Sequence, residues 1–360
     1  MIRPYFGLSY RRAFETLLKR GLAERAADEW IVCCDFSNPA IDAVGGRYYF
    51  SLVKDLIDAG FFPVFTAHRA TLSSFGTSRM KSQLLGERLG VISSLNEINE
   101  PYFLITDREE SWPAHAKKIV SMNYDYRLCE SENEIAFPVF VHPQIATLGQ
   151  LPFGYQIEDQ RSTRIFFGGN TEPGKYDQEI IRDRYGMMTR RQILAAAPQM
   201  CYRPDDALAW LESDRFHSYV LCETQLCKIP PDRWLHAMAK ADFFLACPGV
   251  GMPLCHNLVE ALAAGTIPIL QYADYLTPRL RDQINCLTFH DTLSLKTTIQ
   301  TALTMSQEQI QSLRRNVHNY YEANLALGRF SKQLFGGQDG KRVLLLNDYR
   351  VPRGKRTPFQ

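Results

Sequence analysis

The sequence has no run of about 18 apolar residues, the length at which a membrane-spanning helix becomes expected. It has no Cys-x-x-Cys pair and no Cys/His spacing of the zinc-binding kind. The nine cysteines include the adjacent Cys33 and Cys34, and an odd number of thiols in apolar stretches predicts reduced, buried side chains and a cytoplasmic protein. Charge of one sign is also missing: 41 basic residues stand against 39 acidic ones, a formal net of +2, which argues against a nucleic-acid partner. Met1-Ile2-Arg3-Pro4 leads into a polar stretch, not the apolar core of a secretory signal. No Gly-x-Gly-x-x-Gly follows the first predicted strand, which disfavours a dinucleotide oxidoreductase. Long repeats and low-complexity tracts are absent.

What is present is a strand–helix alternation. With 360 residues, 45% of them hydrophobic, the chain is long enough for two domains with cores of their own. Ile31–Phe36 reads as a buried strand, the glycine pair Gly45-Gly46 precedes a helical pattern over Arg47–Ala59, and Phe61–Thr66 reads as a second strand. Further strands are expected at Tyr102–Thr106, Ile119–Met122 and Phe137–Val141, with loop plus helix near Thr71–Gly90. Gly149–Ser162 lacks periodicity and is the expected linker. A second series follows, with strands at Arg164–Gly168, Tyr219–Cys222, Phe243–Ala246, Ile267–Leu270 and Leu287–Phe289, then two helices over Leu293–Leu325. Lys341–Asn347 is expected as a last strand or an edge segment.

The densest signal runs from Ala241 to Leu270: a short buried strand, a turn bearing Pro248, Gly249, Gly251 and Pro253, a helix closed by Gly265, and another strand. A small-residue turn feeding a helix start is a ready anion site, because backbone N–H groups and the positive end of the helix dipole point outward there. Its place after a parallel strand is where open α/β sheets bind ligands.

From Cys247-Pro248 through Leu258-Val259-Glu260-Ala261 to Gly265-x-Ile267-Pro268, the residues resemble the C-terminal half of exostosin-like glycosyltransferases. The Glu-Ala-x-x-x-Gly-x-x-Pro pattern is shared more widely among GT-B nucleotide-sugar transferases. The resemblance implies an α/β protein of GT-B architecture, two Rossmann-like domains facing across a cleft. It divides the chain into an acceptor-side domain over 1–155, a nucleotide-sugar domain over 156–330 and a C-terminal extension over 331–360 packing back on the first domain. It implies transfer of a sugar from a UDP- or GDP-sugar to a glycan or glycolipid hydroxyl, with no obligatory cofactor. The position eight before Glu260, acidic in retaining relatives, is Met252, which favours inversion. No Asp-x-Asp occurs, which favours metal independence. A sugar-nucleotide epimerase and a non-catalytic sugar-binding protein are the alternatives.

Leaving-group charge on a diphosphate calls for fixed dipoles and cations. The candidate donor-binding residues are Gly168, Gly169 and Asn170 after one strand, the pair Arg190 and Arg191, Gly249 and Gly251 in the turn, His256 and Asn257 at the helix start, and Glu260 as the ribose clamp the resemblance implies. Inversion needs a general base for the acceptor hydroxyl. Asp35, which ends the first strand, and His68 and Asp107, which follow later ones, are the candidates from the first half, with His142 similarly placed. Arg350, Arg353, Lys355 and Arg356 give the tail a basic character suited to peripheral membrane contact.

Overall fold

The computed structural model describes residues 15–68, 71–72, 74–76, 78–108, 112–198, 201–337 and 340–347. The basic tail residues Arg350, Arg353, Lys355 and Arg356 lie outside them. The protein is mixed α/β and divides into two compact units, Met1–Phe137 with Leu327–Gln360, and Pro138–Ala326. Each unit is built on one parallel sheet. No helix among the described residues is long and apolar enough to cross a membrane.

In the first unit the strands are β1 (Trp30–Asp35), β2 (Phe61–Thr66), β3 (Gly90–Ile92), β4 (Tyr102–Thr106), β5 (Ala116–Asn123), β6 (Glu134–Ala136) and, last in the chain, β12 (Gly340–Leu345). Their order is β3-β2-β1-β4-β5-β12-β6, and every neighbouring pair is parallel. Ile31 to Asp35 are all buried, as expected for a strand covered on both faces. The helix Ala43–Asp58 follows, and Val44, Gly45 and Gly46 have φ of 57°, 67° and 75°, so regular helix begins only beyond the glycine pair. A Cβ on Gly46 would lie 2.6 Å from Ser78 Oγ, so the turn needs a glycine for space as well as for φ.

Three differences from the sequence reading have local causes. Phe137–Val141 is not a strand: β6 ends at Ala136, and Val139 and Phe140 have φ of 65° and 52°, which breaks extended pairing. The stretch near Thr71–Gly90 forms 3-10 turns at Ser74–Gly76 and Lys81–Gly86, tied down by buried Lys81, whose Nζ donates to Asp42 Oδ1 at 2.8 Å and to Thr71 O and Ser74 Oγ at 2.6 Å. Gly149–Ser162 lies inside the second unit, and the chain divides ahead of it, after Phe137.

The C-terminal segment is fixed to the first unit by Asp55. Its buried carboxylate accepts from Gly328 N (2.8 Å), Ser331 N (2.7 Å) and Ser331 Oγ (2.6 Å). From there β12 enters the sheet between β5 and β6, an interior place and not an edge.

The second unit holds β7 (Thr163–Gly169), β8 (His217–Glu223), β9 (Ala241–Leu245), β10 (Ile267–Leu270) and β11 (Leu287–Thr288), all parallel, in the order β11-β10-β9-β7-β8. The strand sequence turns back between β7 and β9. Such a switch point opens a crevice at the carboxyl ends of the strands. Gly265, at φ 64°, ends the helix His256–Ala263 as the sequence predicts, and the Tyr155 ring packs where its Cβ would be.

Candidate functional site

A cavity of about 290 Å³ lies at the carboxyl ends of β7 and β8 in the second unit. Gly169, Asn170, Arg190, His256, Asn257 and Glu260 all line it. They arrive from the end of β7, the loop after it and two helices, Arg190–Ala196 and His256–Ala263, and the switch point explains why. Arg190 is buried, and its Nη1 donates to Asn170 O at 2.7 Å while its Nη2 donates to Pro248 O at 3.1 Å. It thereby ties the loop after β7 to the loop after β9, on either side of the reversal. The Tyr176 ring stacks against the guanidinium, 3.9 Å from centroid to Cζ. Arg190 Nε is buried without a hydrogen-bond partner.

Asn257 Nδ2 donates to Gly168 O at 3.2 Å, which seats the helix start against the end of β7. In that first turn Leu258 N donates to Cys255 O at 3.0 Å, and the helix dipole adds positive potential at the same place. A Cβ on Gly168 would lie 2.6 Å from the Phe166 ring and 2.8 Å from the Trp234 ring, so only glycine lets these aromatics close over the strand.

Glu260 is 1% exposed. Its Oε1 accepts from His142 N at 2.9 Å and its Oε2 from Trp234 Nε1 at 2.6 Å. The carboxylate thus joins the helix to the segment entering the unit and to the helix Trp234–Ala239. His142 also caps the short helix Pro143–Ala146, its Nδ1 accepting from Gln144 N at 3.1 Å. The His142 and His256 rings meet edge to face, with centroids 5.0 Å apart.

No family model matches the chain, and no curated protein matches it. Solved structures similar to it over most of its length include HepE from Anabaena in complex with UDP, at 12% identity over 85% of this chain and 98% of that one, with a TM-score of 0.39. A glycosyltransferase from Rickettsia africae is similar at 8% identity over 85% and 97%, with a TM-score of 0.45. An alpha-glucosyltransferase in complex with UDP and a mismatched DNA is similar at 12% identity over 86% and 98%, with a TM-score of 0.40.

Four of the expected donor residues do not line the cavity, Gly168 among them. Arg191 is exposed and pairs with Asp177 at 3.3 Å, because adjacent helix positions point about 100° apart. Gly249 and Gly251 do not line it either. The Gly249 amide donates to Pro253 O at 3.2 Å, so the turn closes on itself, and its dipoles are partly spent internally.

The general-base candidates lie in the first unit. Asp35 and His68 share a cavity of about 440 Å³ at the carboxyl ends of β1 and β2, with Arg108. Asp35 is buried, accepts from Thr66 Oγ1, and stands 3.3 Å from Arg108 Nε. His68 Nδ1 lies 3.0 Å from Thr71 Oγ1, whose own proton goes to Phe36 O. Nδ1 is therefore the donor, and Nε2 is left as the ring's acceptor. Asp107 is not brought to this cavity. Its two oxygens receive Ser37 N, Ser37 Oγ, Asn38 N and Tyr124 Oη, which makes it a staple of the loop after β1.

Sequence reasoning missed Trp234, Tyr176, Lys228 and the thiols Cys222 and Cys227, all of which line the second unit's cavity. Burial raises both thiol pKa values, so they present S–H groups and no charge. Trp234 carried the one available signal, since a tryptophan in a short apolar helix needs a partner for its N–H. Among the described residues, no cluster of three or more His, Cys, Asp or Glu is arranged to hold a metal ion.

Proposed function

We propose that the protein is a nucleotide-sugar glycosyltransferase of GT-B type. In this reading it moves a hexosyl or pentosyl unit from a UDP- or GDP-sugar to a hydroxyl of a glycan or glycoconjugate, with inversion and without an obligatory metal. The observation that carries the reading is the convergence of Arg190, the first turn of the helix His256–Ala263 and Glu260 on one cavity at a switch point. The helix amides and Arg190 are suited to the charge that develops on a departing diphosphate. Glu260 is assigned to the ribose hydroxyls: a carboxylate accepts up to about four hydrogen bonds, and its orientation is already set by Trp234 and His142. Metal independence follows from the missing Asp-x-Asp, and inversion from Met252. For the base that takes the acceptor proton we retain Asp35 and His68, whose imidazole Nε2 has no hydrogen-bond partner among the described residues, over Asp107.

Calorimetric titration with UDP-, GDP-, dTDP- and CMP-sugars tests the donor assignment, and product NMR gives the anomeric outcome. We expect one nucleoside diphosphate to bind and Arg190→Ala to weaken it. Turnover should persist in EDTA, and the product should carry the inverted configuration. Isomerised donor in the absence of acceptor would establish an epimerase instead. Binding of free sugar but of no nucleotide would establish a sugar-binding module.

A further inference from the structure

We propose that a second cavity of the same unit, at the opposite end of its sheet, is an oxyanion site shaped for a phosphomonoester on a small apolar body. This cavity, of about 340 Å³, opens at the amino ends of β7 and β9. Arg161, Arg233, His236 and Lys240 line it together with the apolar Phe153, Leu208 and Leu211.

Arg161 is the unusual group. It is 8% exposed, and its Nη1 donates to Ala241 O at 2.8 Å and to Thr266 Oγ1 at 3.0 Å, while its Nη2 donates to Ala264 O at 3.0 Å. Its Nε is buried with no partner, and among the described residues no carboxylate forms an ion pair with it. The nearby buried carboxylate, Asp242, is already shared by Arg164 Nη1 at 2.9 Å and Arg314 Nη2 at 2.6 Å. Buried charge is normally paired, and here three guanidiniums stand around one carboxylate. Burial and the neighbouring Arg314 pull the Arg161 pKa down to about 9, as expected of a cation short of counter-charge.

The acidic groups on the cavity wall are Asp159 and Glu212. Among the groups that line the cavity, Arg161, Arg233 and Lys240 outnumber Asp159 and Glu212 by one charge, with His236 beside them. A phosphomonoester carries about −1.5 to −2 at neutral pH, so a net cationic wall attracts it. The Arg233 fork and the remaining N–H groups of the Lys240 ammonium, which gives one to Ser213 O, fit its oxygens, and Arg161 adds charge behind them. The apolar side chains fit an organic substituent and give inorganic phosphate nothing to contact.

Titration of the full chain with phenyl phosphate, with and without saturating UDP, tests the site. Phenyl phosphate should bind in both conditions, more tightly than inorganic phosphate, and phenol should not bind. Arg161→Ala removes three hydrogen bonds from the core and risks unfolding, so the rim is mutated instead. The Arg233→Ala/Lys240→Ala double variant, with an unchanged melting temperature, should bind phenyl phosphate at least about tenfold more weakly. Absent binding, equal affinity in the double variant, or displacement by UDP would each overturn the assignment. Failure of UDP itself to bind counts against the donor cavity alone, because phenyl phosphate is also read in its absence.

Discussion

Trp234→Phe removes one N–H and keeps an aromatic ring, which makes it a clean probe of how Glu260 is held. The indole Nε1 lies 2.6 Å from Glu260 Oε2, and the carboxylate is 1% exposed, so water cannot easily replace the lost donor. A hydrogen bond to a charged group contributes roughly 1.5–3 kcal/mol. For a domain of about 150–250 residues each kcal/mol corresponds to roughly 2–4 °C in Tm, so the melting temperature should fall by roughly 3–12 °C. Glu260→Gln should destabilise through the same contact, because its amide group sets a donor against either the indole N–H or the His142 N–H. The double variant should then lose less than the sum of the singles, with a coupling of roughly 1.5–3 kcal/mol. Urea melts of the four proteins give that coupling directly. UDP titrations of the same set, against 2′,3′-dideoxy-UDP, report whether the held carboxylate reads the ribose. Additive losses would refute the hydrogen bond. Equal discrimination between the two nucleotides in wild type and variants would refute the ribose assignment.

Three further outcomes follow from single sites. In UDP titrations Arg190→Ala should weaken binding by at least about tenfold, whereas Arg191→Ala, an exposed partner of Asp177, should change affinity by less than about 0.5 kcal/mol; reversed effects would misplace the cation. Gly265→Ala should cost at least about 2 kcal/mol in urea melts, since its Cβ would lie 2.2 Å from the Tyr155 ring at a φ of +64°, and Tyr155→Ala should relieve the clash but not the backbone strain; an unperturbed single variant would exclude both. Burial pushes Asp55 up to about 6 from 3.8, so the folded state holds the extra proton across that window. Its contribution to stability is complete below about pH 4 and is lost as pH rises toward 6, by up to about 3 kcal/mol. The Asp55→Asn variant lacks this slope, and parallel stability curves for the two proteins between pH 4 and 7 would contradict the assignment.

The general base is the part of the candidate site least legible in sequence. Asp35, His68 and Asp107 all stand at strand carboxyl ends, and spacing treats them alike. Folding separates them by hydrogen bonding: Asp107 collects donors from the loop after β1 and from Tyr124, while His68 Nε2 meets no partner among the described residues. The glycine turn after β9 misleads for a related reason. Its composition marks a bend correctly, but whether an amide in a bend faces a ligand or a neighbouring carbonyl depends on how the bend closes, and Gly249 meets Pro253.

What the sequence determined by itself was local. Continuous apolar runs set β1 and β9, glycine ends the helix before β10, and the motif around Glu260 marks the helix that lines the cavity. These follow from side-chain periodicity and backbone freedom within a few residues. Tertiary structure alone decided the rest. It placed β12 inside a sheet formed some two hundred residues earlier in the chain, set β7 between β8 and β9, and turned Arg190 inward while Arg191 met solvent. Each of those outcomes rests on contacts between distant segments, whose closure entropy only the assembled core can offset.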